Sequence, residues 1–315
     1  MSLPNAFVDP AARSAGGAPA RTVAGATAKL RLIAGCNFTT ASTLRYAFDV
    51  LVRRLWPRRR RGTRKYHFRG GRAILLRENS TDWNVFAEIF LERVYDKHAA
   101  AIPRGSGPVV LIDLGANIGL STIALAEILG SGRGVSEIAE AAGVSIVAVE
   151  PDAENFAMLN KNLRLAGLAD RAAAVEAFAG AGRGFARLQD SGYGAWGMRM
   201  GPAADRGIPV LTVADIIARA ALPDQGPAAR VILKCDIEGS ERQLFEHLRM
   251  WDHLVDFVIL ELHTEFLSAA EFHAHLEGSR YQWRMHGQIP PGAVLAVVGL
   301  ERLGEKTEAL RQTAG

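Results

Sequence analysis

A Rossmann-like α/β fold, doubly wound on a mostly parallel sheet, is what the 315-residue sequence predicts, and three observations predict it. From Pro108 onward, short apolar runs alternate with helical patterns, the order that βαβ units require. A glycine turn, Gly115-Ala116-Asn117-Ile118-Gly119, stands where the first of those strands passes into a helix. Single acids, Asp113, Glu150 and Asp236, fall at or beside strand ends, where open α/β sheets bind their ligands. With 49% hydrophobic and 22% charged residues the chain can fill a large core, and 32 glycines without a Gly-X-Y period exclude a fibrous protein.

Residues 1–35, rich in Ala and Gly and without apolar periodicity, read as a flexible leader. Residues 36–100 form an N-terminal helical and basic region, 101–303 the main domain and 304–315 a C-terminal tail. Leu44, Phe48, Leu51, Val52 and Leu55 recur at helical spacing with Arg45, Asp49 and Arg53 on the other side, until Pro57 stops the run. An amphipathic helix packed on the main domain is expected. Alternation over 66–76 predicts one or two strands, and 83–95 a helix with Val85, Phe86, Ile89, Phe90 and Val94 on one side.

In the main domain, 109–114, 144–150 and 172–178 read as strands, with helices over 121–129 and 152–166, the second carrying Phe156, Leu159 and Leu163 on one face. Between them, 130–143 is an inserted loop with a short helical piece. Residues 184–213 form a glycine-interrupted, β-rich excursion. A strand at 231–236 follows, then a helix opened by a Ser240/Gln243 capping box and carrying Leu244, Leu248 and Trp251. A strand at 257–262 and a helix at 269–276 lead to a closing antiparallel pair, 281–285 with 294–298.

The net charge of +4 conceals an asymmetry. Arg53, Arg54, Arg58, Arg59, Arg60, Arg61, Arg64 and Lys65 place eight positive charges in one acid-free stretch, so the rest of the chain sums to −4. A global polyanion binder would spread its charge over a working face; here the basic character is local. The two cysteines, Cys36 and Cys235, form no C-x-x-C, and the eight histidines no His-Glu-x-x-His, so no structural zinc site is expected. No apolar stretch reaches the ~20 residues of a membrane span, and the start of the chain lacks an apolar signal segment. A cytoplasmic protein is expected, with attachment to a membrane periphery as a further expectation.

The glycine turn departs from the dinucleotide pattern, because Asn117 occupies the place of the second glycine of G-x-G-x-x-G. An acid just before the turn, Asp113, suits a ligand bearing an ammonium group better than one bearing phosphates. Glu150, followed by Pro151, ends the next strand, where a carboxylate accepts from ribose hydroxyls. Together the two ends suggest an adenosyl ligand.

These residues resemble the FkbM-type S-adenosylmethionine-dependent methyltransferases. The resemblance covers 79–298 and rests on 113–119, on Val149-Glu150-Pro151 followed by 155–163, on Pro209-Val210-Leu211-Thr212, and above all on Lys234-Cys235-Asp236-Ile237-Glu238-Gly239-Ser240-Glu241. Departures are the 130–143 insert, Ala214 where an acid is expected, and the basic N-terminal region. The resemblance implies that Asp113 accepts from the methionine amino group, directly or through water, that Gly115 and Gly119 leave room for the methionine moiety and that Asn117 shapes the loop. It further implies that Glu150 holds the ribose and that Glu176 and Ala177 border the adenine.

Asp236 is then expected beside the sulfonium methyl. Methylating an alcohol needs a group to take its proton. Asp236, Glu238, Glu261 and His263 are the candidates, with Glu261 and His263 on one side of their strand by alternation. Asp236 is the preferred base and His263 the rival or assistant; a divalent metal held by Asp236, Glu238 or Glu261 is the less favoured variant. Glu241 reads as helix-start electrostatics and Cys235 as core, while Lys234 is a candidate partner of Asp236 or another carboxylate. The expected acceptor is a hydroxyl on a sugar, a glycan, a lipid-linked saccharide or a secondary metabolite. The alternative is an RNA methyltransferase gripping phosphates with 53–65, and a third reading makes 41–65 a contact for an anionic membrane or a partner protein.

Overall fold

Strands that are apolar on both faces must be covered on both faces, and the sheet is arranged around that demand. The computed structural model describes residues 36–55, 62–103, 107–131, 144–190, 198–202, 207–220 and 229–306; the leader, nearly all of the 130–143 insert, Arg58 to Arg61 and most of the 304–315 tail lie outside the described residues. Helix α1 (Thr40–Leu55) and the hairpin β1 (Thr63–His67) and β2 (Ala73–Arg77) come first, then α2 (Asp82–Phe86), a π-helical turn (Ala87–Leu91) and α3 (Asp96–Ala99). The main alternation follows as β3 (Val109–Leu114), α4 (Leu120–Ser131), β4 (Val144–Val149), α5 (Ala153–Leu165) and β5 (Ala172–Val175). Four strands make the excursion: β6 (Phe178–Ala179), β7 (Gly184–Asp190), β8 (Met198–Pro202) and β9 (Ile208–Leu211). The chain closes with α6 (Val213–Ile217), β10 (Arg230–Cys235), α7 (Glu241–Glu246), β11 (Phe257–His263), α8 (Ala269–Gly278), β12 (Tyr281–His286) and β13 (Leu295–Glu305).

Seven strands form the main sheet in the order β12-β13-β11-β10-β3-β4-β5. From β11 to β5 neighbours are parallel, and β13 runs antiparallel to both β11 and β12. The chain leaves β3 toward β4 and β5 and returns on the other side as β10 and β11, so the topological switch lies between β3 and β10. Side chains alternate across it. Leu111, Ile146, Ile232, Phe257 and Ile259 enter one core, beside α4 and α5; Ile112, Leu114, Val147, Val149, Leu233 and Leu260 enter the other, beside α6 to α8. The fold is thus the doubly wound, Rossmann-like α/β class the sequence predicts. The excursion strands form a separate four-stranded sheet, β6-β9-β7-β8.

The N-terminal region joins the first of these cores. Phe38, Tyr46, Tyr66, Phe68, Trp83, Phe86 and Phe90 form one aromatic cluster, the Phe38 and Phe68 rings 4.8 Å apart by centroid. Asn162 of α5, fully buried, ties the hairpin to the sheet: its Oδ1 accepts from the Leu75 amide (2.7 Å) and its Nδ2 donates to the Ile118 carbonyl (2.8 Å). Two of the eight basic residues are consumed here. Arg53 lies over the Trp83 ring at 4.6 Å and donates to the Glu78 carbonyl, while Arg64 pairs with the Glu78 carboxylate at 2.5 Å.

Four expectations need correction. Helix α1 packs, but through Ser42, Tyr46 and Asp49, which leaves the Leu44/Phe48/Leu51/Leu55 stripe outside; aromatic stacking and the Tyr66 hydroxyl's 2.9 Å hydrogen bond to Asp49 outcompete the aliphatic stripe. The helix expected over 83–95 is α2 plus the π-helical turn, ended by Arg93 at φ 57°. Strand 172–178 stops at Val175, and Phe178 pairs in the second sheet. The Ser240/Gln243 capping box is not formed, because Ser240 has helical φ and ψ and makes no side-chain cap bond; Thr212 with Asp215 and Ser268 with Glu271 form such boxes instead.

Gly119 has φ +87°, and a Cβ there would stand 2.7 Å from Leu159 Cδ1. Its role is the close approach of α5, and it does not line the cleft described below. Gly119→Ala is expected to cost about 1–3 kcal/mol of stability, read as a lower urea midpoint with an unchanged slope.

Candidate active site

The carboxyl ends of β3, β4 and β10 open on one cleft at the topological switch, where a doubly wound sheet offers a ligand its place. Gly115 and Asn117 supply its floor, Val149, Glu150 and Pro151 one side, and Asp236, Ile237, Glu238 and Ser240 the other. Ala177, Phe178, Ala179 and Leu188 from the excursion form an apolar wall, and Asn155 completes the lining. Among the described residues three carboxylates face the cleft, and no lysine or arginine does.

Gly115 is dictated by backbone contact. At φ +74°, a Cβ would lie 1.7 Å from the Asp236 carbonyl oxygen, so only glycine lets the ends of β3 and β10 meet. Asn117, also left-handed at φ 50°, turns its amide toward Glu150 Oε2 (2.8 Å), and Glu150 Oε1 accepts from the Asp152 amide (2.9 Å). Burial pushes the Glu150 carboxyl up to about 7 against these hydrogen bonds, so a donor from a ligand would favour its ionised form.

Asp113 is not among the residues that line the cleft. Fully buried, it accepts from Ser121 Oγ (2.7 Å) and Thr122 Oγ1 (2.6 Å) through Oδ2 and pairs with Lys234 Nζ (3.1 Å) through Oδ1. Lys234 Nζ also reaches the Gly115 carbonyl (2.9 Å) and Asp236 Oδ2 (3.4 Å). Burial disfavours its charge, but Asp113, Asp236 and Glu261 outweigh that and hold the ammonium protonated. Glu176 is exposed and lies outside the lining, while Ala177 beside it is buried and within it. Cys235 is core, as expected, its thiol pushed far up by burial.

The four candidates for proton transfer come together. Asp236, Glu261 and His263 each offer an atom within 4.8 Å of the others, an arrangement that could hold a divalent cation, and Glu238 Oε2 lies 3.5 Å from His263 Nε2. Two residues outside the expected machinery orient them. Buried Glu241 meets His263 Nδ1 at 3.0 Å and accepts from the Ile237 amide at 3.1 Å; the Tyr95 hydroxyl donates to Glu261 Oε2 at 3.0 Å. Glu241 looked like a helix-start acid, and Tyr95 arrives only because the π-helical turn and left-handed Arg93 redirect the chain before α3. Burial and the neighbouring Asp236 push the Glu238 and Glu261 carboxyls up. For His263, burial opposes protonation, yet the Glu241 hydrogen bond and the surrounding carboxylates prevail and raise it to about 9.

Neither a family model nor a curated protein matches the chain. Among solved structures it is similar to methyltransferase FkbM from Methylobacillus flagellatus KT, with 16% identity, 89% of this chain and 59% of that one covered, and a TM-score of 0.41. It thus spans less than two thirds of that protein's length. TYW2 of M. jannaschii in complex with AdoMet is similar at 14% identity over 78% of this chain and 88% of that one, TM-score 0.41. The O-methyltransferase TomG from Streptomyces achromogenes in complex with SAM gives 14%, 68%, 80% and 0.39 in the same order. At such values, function has to come from the geometry of the cleft.

His263 binds its proton more tightly in the folded protein than at its ordinary value of 6.5. The stabilisation this brings is complete below that value and is lost as pH rises to about 9. Wild type and His263→Gln should therefore differ most in urea-unfolding free energy at mildly acidic pH, and the gap should shrink by about 3 kcal/mol across that window. A gap independent of pH would remove the charged imidazole.

Proposed function

We propose that the chain is an S-adenosylmethionine-dependent methyltransferase that methylates a hydroxyl group of a small molecule or saccharide. The observation that carries the reading is the lining of the cleft: among the described residues Glu150, Asp236 and Glu238 line it and no lysine or arginine does, Lys234 reaching Asp236 from behind the lining. Such a lining repels a pyrophosphate and attracts a cation. Adenosylmethionine carries a sulfonium and an ammonium, and the wall of Phe178 and Leu188 suits its adenine. Glu150, held by two backbone amides, is positioned to accept from ribose hydroxyls.

In the transfer, the acceptor oxygen attacks the methyl carbon in line with the C–S bond, whose electrons return to sulfur and leave a neutral thioether. The hydroxyl proton passes to a carboxylate, and Asp236 is assigned that role because it alone among the acids of the cluster joins both the cleft lining and the triad with Glu261 and His263. The surrounding carboxylates favour the protonated form of His263, so it is assigned as a hydrogen-bond donor that orients the acceptor, with Asp236 preferred to it as the base. Glu238 and Glu261 frame the acceptor oxygen. The less favoured variant is a divalent cation held by Asp236, Glu238 or Glu261, to which the geometry adds His263 beside Asp236 and Glu261; such a cation would acidify the hydroxyl.

The acceptor is assigned to hydroxyl-bearing sugars, glycans, lipid-linked saccharides or secondary metabolites because carboxylates surround the transfer point. A nucleic-acid acceptor fits less well, since Arg53 and Arg64 are already engaged within the fold.

S-adenosylhomocysteine should bind in calorimetry, and Glu150→Ala should weaken it by about 1–3 kcal/mol, with Glu176→Ala without effect. Tighter binding of NADH than of S-adenosylhomocysteine would overturn the cofactor. Asp236→Asn should lower kcat about 100-fold with little change in S-adenosylhomocysteine affinity. Turnover abolished by chelator and restored by Mg²⁺ would move the mechanism to the metal variant.

A further inference from the structure

Leu44, Phe48, Leu51 and Leu55 stand along one side of α1, exposed by 67, 58, 54 and 57% of their surfaces. The spacing of four, three and four residues makes them one stripe on a helix of sixteen residues, roughly 24 Å long. Scattered exposed leucines are ordinary, but four aligned on one helix are not. The opposite side is fully used: Ser42 accepts from the His67 amide, Tyr46 stacks on Trp83 and Asp49 accepts from Tyr66. The helix cannot rotate to hide the stripe without dismantling the aromatic cluster.

The surroundings of the stripe are cationic. Arg45, Lys65, His67 and Arg69 line one shallow hollow beside the first half of α1, and no acid lines it. Arg45, Lys65 and Arg69 are exposed. The sequence beyond the helix continues into Arg58, Arg59, Arg60 and Arg61.

We propose that this face of α1 docks the protein on an anionic lipid surface, with the helix lying in the interface plane. Phe48 and the three leucines enter the boundary between headgroups and acyl chains, and Arg45, Lys65 and Arg69 meet lipid phosphates and carboxylates. Charge complementarity selects the occupant: an apolar stripe with exposed cations beside the same helix, Arg45 retaining its 3.8 Å pair with Asp49, matches a surface that is apolar inside and anionic outside. The attachment is peripheral, as no helix among the described residues is long and apolar enough to cross a membrane. It is independent of the reaction assigned to the cleft.

The test is co-sedimentation of the full chain with vesicles of phosphatidylcholine alone and of phosphatidylcholine with phosphatidylserine. Binding to the second only is expected, weakening as salt is raised. The double variant Phe48→Ser with Leu51→Ser should lose at least about tenfold in partitioning, and each of Arg45→Gln and Lys65→Gln about fivefold. S-adenosylhomocysteine calorimetry and thermal melting of the same variants check that the fold is intact, so loss of lipid binding is separable from loss of the cleft. No binding to the anionic vesicles, or equal binding by the double variant, would overturn the proposal. So would capture of RNA without vesicles, or a dimer in solution that the double variant converts to monomer.

Discussion

The buried ion pair between Lys234 and Asp113 is the interaction on which the rest of the site depends. It sits at the switch between β3 and β10, where two parallel strands part company and no covalent connection holds their ends together. An ammonium removed from water costs several kcal/mol unless every proton finds a partner. Here Nζ has Asp113, the Gly115 carbonyl and Asp236. These partners belong to β3 and to the turns after β3 and β10, so one cation fixes the glycine turn against the segment that presents Asp236. The missing Cβ of Gly115 is the steric half of the same constraint, since the Asp236 carbonyl occupies its space.

From that fixed point the electrostatics of the cluster follow. Asp236, Glu238 and Glu261 crowd around one imidazolium, and mutual repulsion with burial makes Glu238 and Glu261 reluctant to ionise. A cation arriving in the cleft relieves the repulsion, whether it is a sulfonium or a divalent metal. The cluster is therefore poised for positive charge before anything binds. Glu241 and Tyr95 give the cluster its orientation by engaging His263 Nδ1 and Glu261 Oε2, leaving His263 Nε2 toward Glu238.

Much of this was legible in sequence because strands have a period of two. Alternation alone puts Glu261 with His263 and Lys234 with Asp236, and it separates Cys235 from them; the central strands announce themselves by unbroken apolar runs. Glu150 was legible because an acid at the end of the second strand has a recurrent place in such sheets. What alternation does not encode is depth. Asp113 and Glu150 look equivalent as strand-end acids, but Asp113 is claimed from behind by Ser121, Thr122 and Lys234, and Glu150 opens forward. Gly115 and Gly119 look equivalent too, though one faces the Asp236 backbone and the other Leu159. Tyr95 escapes because a π-helical turn breaks the period from which its direction would be read.

Helix α1 shows where pattern and packing part. An aliphatic stripe is ordinarily the inward face of a helix, and reading it so is sound whenever leucine has no stronger competitor for the core. In this region the competitors are aromatic rings, which bury more surface each and stack on one another. Tyr46 supplies such a ring, and Asp49 supplies the acceptor that Tyr66 needs once its hydroxyl is buried. A helix rotated to bury the leucines would carry both into water, leave the Tyr66 hydroxyl without its partner and lift Arg53 from Trp83. Each exposed leucine or phenylalanine forgoes about 1.5–3 kcal/mol of burial, and the aromatic and polar contacts of the inner face offset that loss in the isolated chain. The stripe is therefore the face that packing among the described residues leaves uncovered.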